Sequence, residues 1–113
     1  NDNDNDSITL YRGVNKNLSS LYKVGSNVTW WTISSCTPAI QVAKSFSGGG
    51  GSGTLFHVQA KTAVPIMHLS AYKSEEEFVL APGTVLKVVD KMQKPGTTHV
   101  FLQEVVSSNK KVG

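Results

Sequence analysis

Apolar and polar positions alternate with period two along much of this chain, which predicts strands. Ile8-Thr9-Leu10-Tyr11-Arg12 alternates and ends at Gly13, so a short strand is expected there. Val14–Ser26 is rich in Asn, Ser and Gly and reads as a loop, with one helical turn around Leu18–Tyr22. Val28-Thr29-Trp30-Trp31-Thr32-Ile33-Ser34 is β-branched and aromatic, so it is expected to be one strand. Trp30 and Trp31 would then point to opposite faces, one into the core and one partly exposed. The period changes at Thr37-Pro38. Thr37 can cap a helix and proline suits the first helical position, so a helix over Ala39–Phe46 follows, with Ile40, Val42, Ala43 and Phe46 apolar. Ser47–Gly53 is a flexible glycine-rich loop, either a linker-like replacement or a natural one. As a phosphate cradle it lacks the following Lys-Ser/Thr of a P-loop.

Strands are expected over Thr54–Ala60, Ala63–Met67, Glu76–Leu80, Val85–Met92 and Thr98–Val106, with turns at Lys61-Thr62, Pro82-Gly83 and Pro95-Gly96. Seven strands and one or two short helices give a predominantly β, α+β chain. A twisted sandwich of two small sheets fits that pattern. Asn1–Asp6 is a low-complexity polar repeat, expected to be disordered, so the domain is taken as residues 8–113 after a tail over 1–7. A chain of 113 residues makes one domain with a modest core.

Composition narrows the function classes. The one cysteine, Cys36, excludes a disulfide framework and a paired-cysteine metal site. His57, His68 and His99 are widely spaced in apolar contexts, and no metal is expected. No apolar run approaches the ~18–20 residues of a membrane-spanning helix. No signal peptide is visible, and a single cysteine is compatible with the cytoplasm or with secretion as part of a longer protein. The formal charge of +3 could favour an anionic ligand, although scattered lysines more often serve solubility.

Two charge features stand out against this background. Arg12 is the only arginine among eleven basic residues, and a planar fork of donors suits a phosphate. Three of the four glutamates are adjacent, Glu75-Glu76-Glu77, leading into Phe78-Val79-Leu80-Ala81-Pro82-Gly83. Strand alternation puts Glu75 and Glu77 on one face and Glu76 on the other with Phe78 and Leu80, so two carboxylates converge. Each feature also has a plainer reading: a surface cation, a strand-edge charge cluster that blocks aggregation, a core phenylalanine at Phe46.

The order Tyr11-Arg12-Gly13, then Thr32-Ile33-Ser34-Ser35-Cys36-Thr37, then Glu75-Glu76-Glu77-Phe78-Val79-Leu80-Ala81-Pro82-Gly83 resembles the R-S-E class of mono-ADP-ribosyltransferases. That class includes arginine-specific ecto-enzymes and binary actin-modifying toxins. The anchor residues Arg12, Ser34 and Glu77 lie 22 and 43 residues apart, and the resemblance runs from Ile8 onward. It implies an ADP-ribosyltransferase fold, two packed sheets around an NAD cleft. It implies NAD as co-substrate, no metal, and transfer of ADP-ribose to protein arginine with release of nicotinamide.

The resemblance also implies residue roles. Arg12 would hold the NAD phosphate, and Gly13 would let the backbone approach the carboxamide. Ser34 would position the ribose and orient the catalytic Glu77, with Ser35 beside it. Phe46 would stack on nicotinamide. Glu75 would engage the acceptor guanidinium, and Tyr72 would contact the target. Two departures are visible. The family's helical region before the arginine strand is missing, so a minimal or truncated core is expected. The usual Ser-Thr-Ser is Ser34-Ser35-Cys36. Water could replace arginine as acceptor, giving an NAD glycohydrolase, or the domain could be a non-catalytic binding module. Partners are expected to be NAD and a guanidino acceptor, with a monomeric chain. Single-stranded nucleic acid is disfavoured, because the lysines are scattered and the acidic cluster repels phosphate.

Overall fold

The computed structural model describes residues 7–47, 53–69 and 74–106, and only the backbone over 67–69 and 74–76. Eight strands form among them: β1 (Ile8–Val14), β2 (Asn27–Trp30), β3 (Ser34–Cys36), β4 (Gly53–Ala60), β5 (Val64–Leu69), β6 (Ser74–Leu80), β7 (Thr84–Lys94) and β8 (Thr97–Glu104). One helix, α1 (Ile40–Phe46), and a 3-10 turn over Ser19–Leu21 complete the elements. The expected polar tail over 1–6, the loop residues 48–52 and Tyr72 lie outside the described residues.

The strands make two sheets. The larger runs β1-β4-β8-β7-β2 and the smaller runs β3-β6-β5. All pairings are antiparallel except β4 with β8. The predominantly β, two-sheet arrangement expected from the alternation is what forms. Its core is shared between the sheets: Leu10, Phe56, Val58, Leu86 and Val100 come from the larger one, Cys36, Phe78 and Leu80 from the smaller. Each fully buried aliphatic or aromatic side chain of this kind contributes about 1.5–3 kcal/mol by leaving water.

One expected strand is two. The apolar run Val28–Ser34 breaks after Trp30, and β2 and β3 belong to different sheets. The ladder runs out of partner: Trp30 pairs with Thr84, the first residue of β7, and Gly83 N–H closes on the Trp30 carbonyl at 2.8 Å. Gly83 takes φ 89°, a conformation glycine adopts without penalty. Beyond that turn lies β6, which pairs with β3. Both chain segments therefore change sheets at the same level, and Trp31–Ile33 forms the corner. Trp31 is 75% exposed while Trp30 is half-buried against the core, as alternation implies.

The helix starts later than expected. Thr37 is held in a strand-like bridge to Tyr11, with N–H···O distances of 2.7 and 2.9 Å in the two directions. Its hydroxyl accepts the Ala39 N–H at 3.0 Å, so Thr37 shapes the approach and Ala39 occupies the cap position without a side-chain cap. Pro38 consequently precedes the helix and does not open it. The helix then lies directly on two glycines. A Cβ at Gly13 would collide with the Ala43 carbonyl oxygen, and one at Gly53 with the Ser47 carbonyl oxygen. Only a residue without a side chain lets these backbones meet.

Candidate active site

Arg12 sits on β1 opposite Phe56, on the core-facing side, yet it carries a permanent charge. Its guanidinium reaches out to the junction of the sheets. Nη1 donates to the Ser35 carbonyl on β3 at 2.9 Å, and Cζ lies 5.9 Å from the centroid of the Trp30 ring. The lone arginine thus bridges the larger sheet to the smaller one.

The register of the smaller sheet sets the rest. Ser34 pairs with Leu80 and Cys36 with Phe78, so these four share the buried face. Ser34 is only 4% exposed, and its hydroxyl donates to the Thr32 carbonyl at 3.1 Å. Ser35 is exposed and pairs with Val79, on the face that β6 alternation also gives to Glu77. Glu77 pairs with Ile66 and is half-buried. Glu75 lies two residues earlier on β6, its backbone opposite His68.

Cys36 reports the electrostatics of this junction. Burial pushes its thiol up to about 11, the positive charge of Arg12 opposes that shift, and the negative charge of Glu77 adds to it. Both charges are thus felt at Cys36, Arg12 from the larger sheet and Glu77 from the smaller. A thiol so far from ionisation is a packing group and not a nucleophile.

Gly13 contributes backbone. Tyr11 turns its N–H and C=O toward Thr37, away from β4. Backbone groups alternate edges along a strand, so Gly13, two residues on, projects a donor and an acceptor from that same edge. The space its Cβ would take is filled by α1. Phe46, the last residue of α1, is 63% exposed, so this phenylalanine is not a core residue. Ser35 and Glu77 thus share one face of the β3–β6 pair, Ser34 lies on the other with its hydroxyl donating to Thr32, Arg12 is bonded to the β3 backbone, and Gly13 and Phe46 lie on neighbouring elements. Among the described residues no group of three metal-ligating side chains occurs.

Three features escaped the sequence reading. Tyr22 receives the Nε1–H of Trp30, the ring beside Arg12, at 2.9 Å. Glu104 is buried, and its carboxylate accepts the Lys61 and Thr62 backbone N–H groups at 2.6 and 2.9 Å and the Thr62 hydroxyl at 2.6 Å. His57 and His99 meet at 2.9 Å across the parallel β4–β8 pair. Desolvation lowers the His57 pKa to about 4, with the charges of His99 and Lys44 adding to the shift. His99 is lowered by burial and by Lys94 and Lys44. A cavity of about 450 Å³ opens beside it, lined by Lys44, Lys94, Thr97 and His99 among others.

Comparison with known proteins bears on this geometry. The profile of the NAD:arginine ADP-ribosyltransferase family matches residues 1–110. The ADP-ribosyltransferase Vis, solved in complex with an inhibitor, superposes with a TM-score of 0.69 at 26% identity over 93% of this chain and 51% of that one. Vis toxin is from Vibrio splendidus. Exoenzyme S from Pseudomonas aeruginosa, solved bound to carba-NAD, superposes with a TM-score of 0.70 at 18% identity over 95% of this chain and 53% of that one. The fold is shared with both, and the chain spans about half the length of each. Among curated protein sequences none matches. With the matched profile covering nearly its whole length and Arg12, Ser34 and Glu77 in the expected order, the chain belongs to the NAD:arginine ADP-ribosyltransferase family as a member of its R-S-E type.

Proposed function

We propose that the chain binds NAD where β1, β3 and β6 meet and transfers ADP-ribose to a guanidino nitrogen of arginine, releasing nicotinamide. The observation that carries this reading is that Arg12 crosses from β1 to the Ser35 carbonyl of β3, the residue that shares a face of the smaller sheet with Glu77. Arg12 donates one N–H to the Ser35 carbonyl, and the rest of its fork of donors suits phosphate oxygens. Gly13 offers an N–H and a C=O side by side, the complement of a primary carboxamide. The exposed ring of Phe46 is a platform for a flat heterocycle.

Glu77 is the catalytic carboxylate in this reading. Breaking the bond between nicotinamide and ribose leaves the electron pair on nicotinamide, which departs neutral, and positive charge grows on the ribose. A fixed carboxylate stabilises that charge more as it develops than before, which is what accelerates a reaction. Ser34 and Ser35 supply the hydroxyls of the β3 segment, Ser34 tying down the corner through Thr32 and Ser35 lying on Glu77's side of the sheet. Glu75 takes the proton the guanidinium loses as its nitrogen bonds to the ribose. Tyr72 stands in the segment before the glutamates as a contact for the target protein.

Support for a guanidino acceptor comes from Vis, which has been solved in complex with agmatine. The test is incubation with NAD and agmatine followed by mass spectrometry. ADP-ribosyl-agmatine supports the reading. Free ADP-ribose without the adduct would make water the acceptor, and unchanged NAD would reject enzymatic turnover.

A further inference from the structure

Resting on that reading of Arg12, we infer that Trp30 and Tyr22 are positioning residues that hold the guanidinium ready for the dinucleotide's phosphates. Arginine carries about 2 kcal/mol of side-chain rotamer entropy, so an unrestrained Arg12 would lose affinity each time it orders on a ligand. Here it is ordered in advance from two sides. The Ser35 carbonyl fixes one nitrogen at 2.9 Å, and the Trp30 ring lies under the cation with Cζ 5.9 Å from its centroid. That distance falls within the range where ring and cation attract.

The ring is itself fixed. Its Nε1–H donates to the Tyr22 hydroxyl at 2.9 Å, and both rings pack on the fully buried Phe56, at centroid distances of 4.9 Å for Tyr22 and 5.4 Å for Trp30. Tyr22 follows the 3-10 turn and Trp30 ends β2, so the loop before β2 and the corner after it meet at Arg12. Tyr22 keeps its proton, because burial raises its pKa and outweighs the opposing effects of Trp30 and Arg12. The bracket thus presents a neutral hydroxyl and an electron-rich face to the cation, leaving Arg12's charge for an anion. A carboxylate in the same place would compete with phosphate.

Arg12 is the chain's only arginine, so its Nε–H gives a single, self-assigned resonance in a ¹⁵N-labelled sample. The experiment records that resonance and the NAD dissociation constant by calorimetry for the wild type, Tyr22→Phe, Trp30→Phe and Trp30→Leu. A thermal melt of each checks the fold. We expect one sharp, slowly exchanging signal in the wild type. Trp30→Leu should shift it to the position of a free arginine and weaken NAD binding about 2–30-fold, the range of a cation–aromatic contact. Trp30→Phe, which keeps a ring, should restore most of both, and in an Arg12→Gln background Trp30→Leu should add nothing to the loss. An unmoved signal in Trp30→Leu would overturn the bracket whatever NAD does. A moved signal with unchanged NAD affinity would overturn its link to the phosphates. A signal that moves in Trp30→Leu, together with a wild type that binds no NAD, would keep the bracket and reject the proposed function instead.

Discussion

Arg12 and Glu104 are two charged side chains committed to quite different ends. Glu104 closes the Lys61–Thr62 turn from inside the fold, its two oxygens taking both backbone N–H groups and a hydroxyl. Glu104→Ala would remove three hydrogen bonds to a buried charged acceptor, so we expect about 1–3 kcal/mol lower stability in urea unfolding, with Glu104→Gln recovering part of it. Arg12 reaches out of the core face to the sheet junction. Composition singled it out, because one arginine among ten lysines invites a reason, and the structure puts it at the sheet junction. The partners that hold it were not legible in the sequence. A backbone carbonyl has no sequence signature, and Tyr22 and Trp30 are ordinary aromatics until the fold stacks them. Composition singled out the glutamate cluster in the same way. Two residues apart on one strand, Glu75 and Glu77 divide the reaction in our reading, so Glu75→Gln should abolish transfer to agmatine while nicotinamide release persists. Chromatography of the products checks this, and loss of both activities would merge the two roles.

At the scale of elements, alternation located most strands and missed the break in Val28–Ser34. Nothing in that run interrupts the pattern, because the cause is elsewhere. The partner strand β7 begins only at Thr84, so β2 has nothing to pair with past Trp30. The helix start was displaced for a related reason, since Thr37 is held by Tyr11 in a bridge that propensity cannot foresee. The seat of α1 on Gly13 yields a direct expectation. Gly13→Ala inserts a methyl where the Ala43 carbonyl stands, and the helix must lift. Overpacking of this kind costs about 1–3 kcal/mol. It should also move Phe46 and weaken NAD binding beyond what the stability loss implies. Unfolding midpoints together with calorimetric NAD titrations test it, and a variant matching the wild type in both would contradict the packing.

For the whole molecule, the sheet order could not be read along the chain, because β1-β4-β8 joins strands far apart in sequence and one pairing is parallel. That pairing creates the His57–His99 contact and with it a pH dependence. Both imidazoles are lowered in the folded state, His57 to about 4. In the unfolded chain they take protons near pH 6.5, so between about 6.5 and 4 the unfolded state binds more protons and stability falls as pH falls. Urea midpoints at pH 7, 5.5 and 4 should decline, and His57→Gln should flatten the decline. An equal slope in the variant would place the dependence elsewhere.

Arg12 joins the larger sheet to the β3 backbone of the smaller one, and the functional reading stands on Glu77 working beside that junction. Its most direct test is the rate of nicotinamide release from NAD, with and without agmatine, in the wild type and in Glu77→Gln. We expect release from the wild type that rises with agmatine, and at least about 100-fold less from a Glu77→Gln protein that melts at the wild-type temperature, the scale of losing one preorganised transition-state contact. A Glu77→Gln protein that releases nicotinamide as fast as the wild type would contradict the account at its centre.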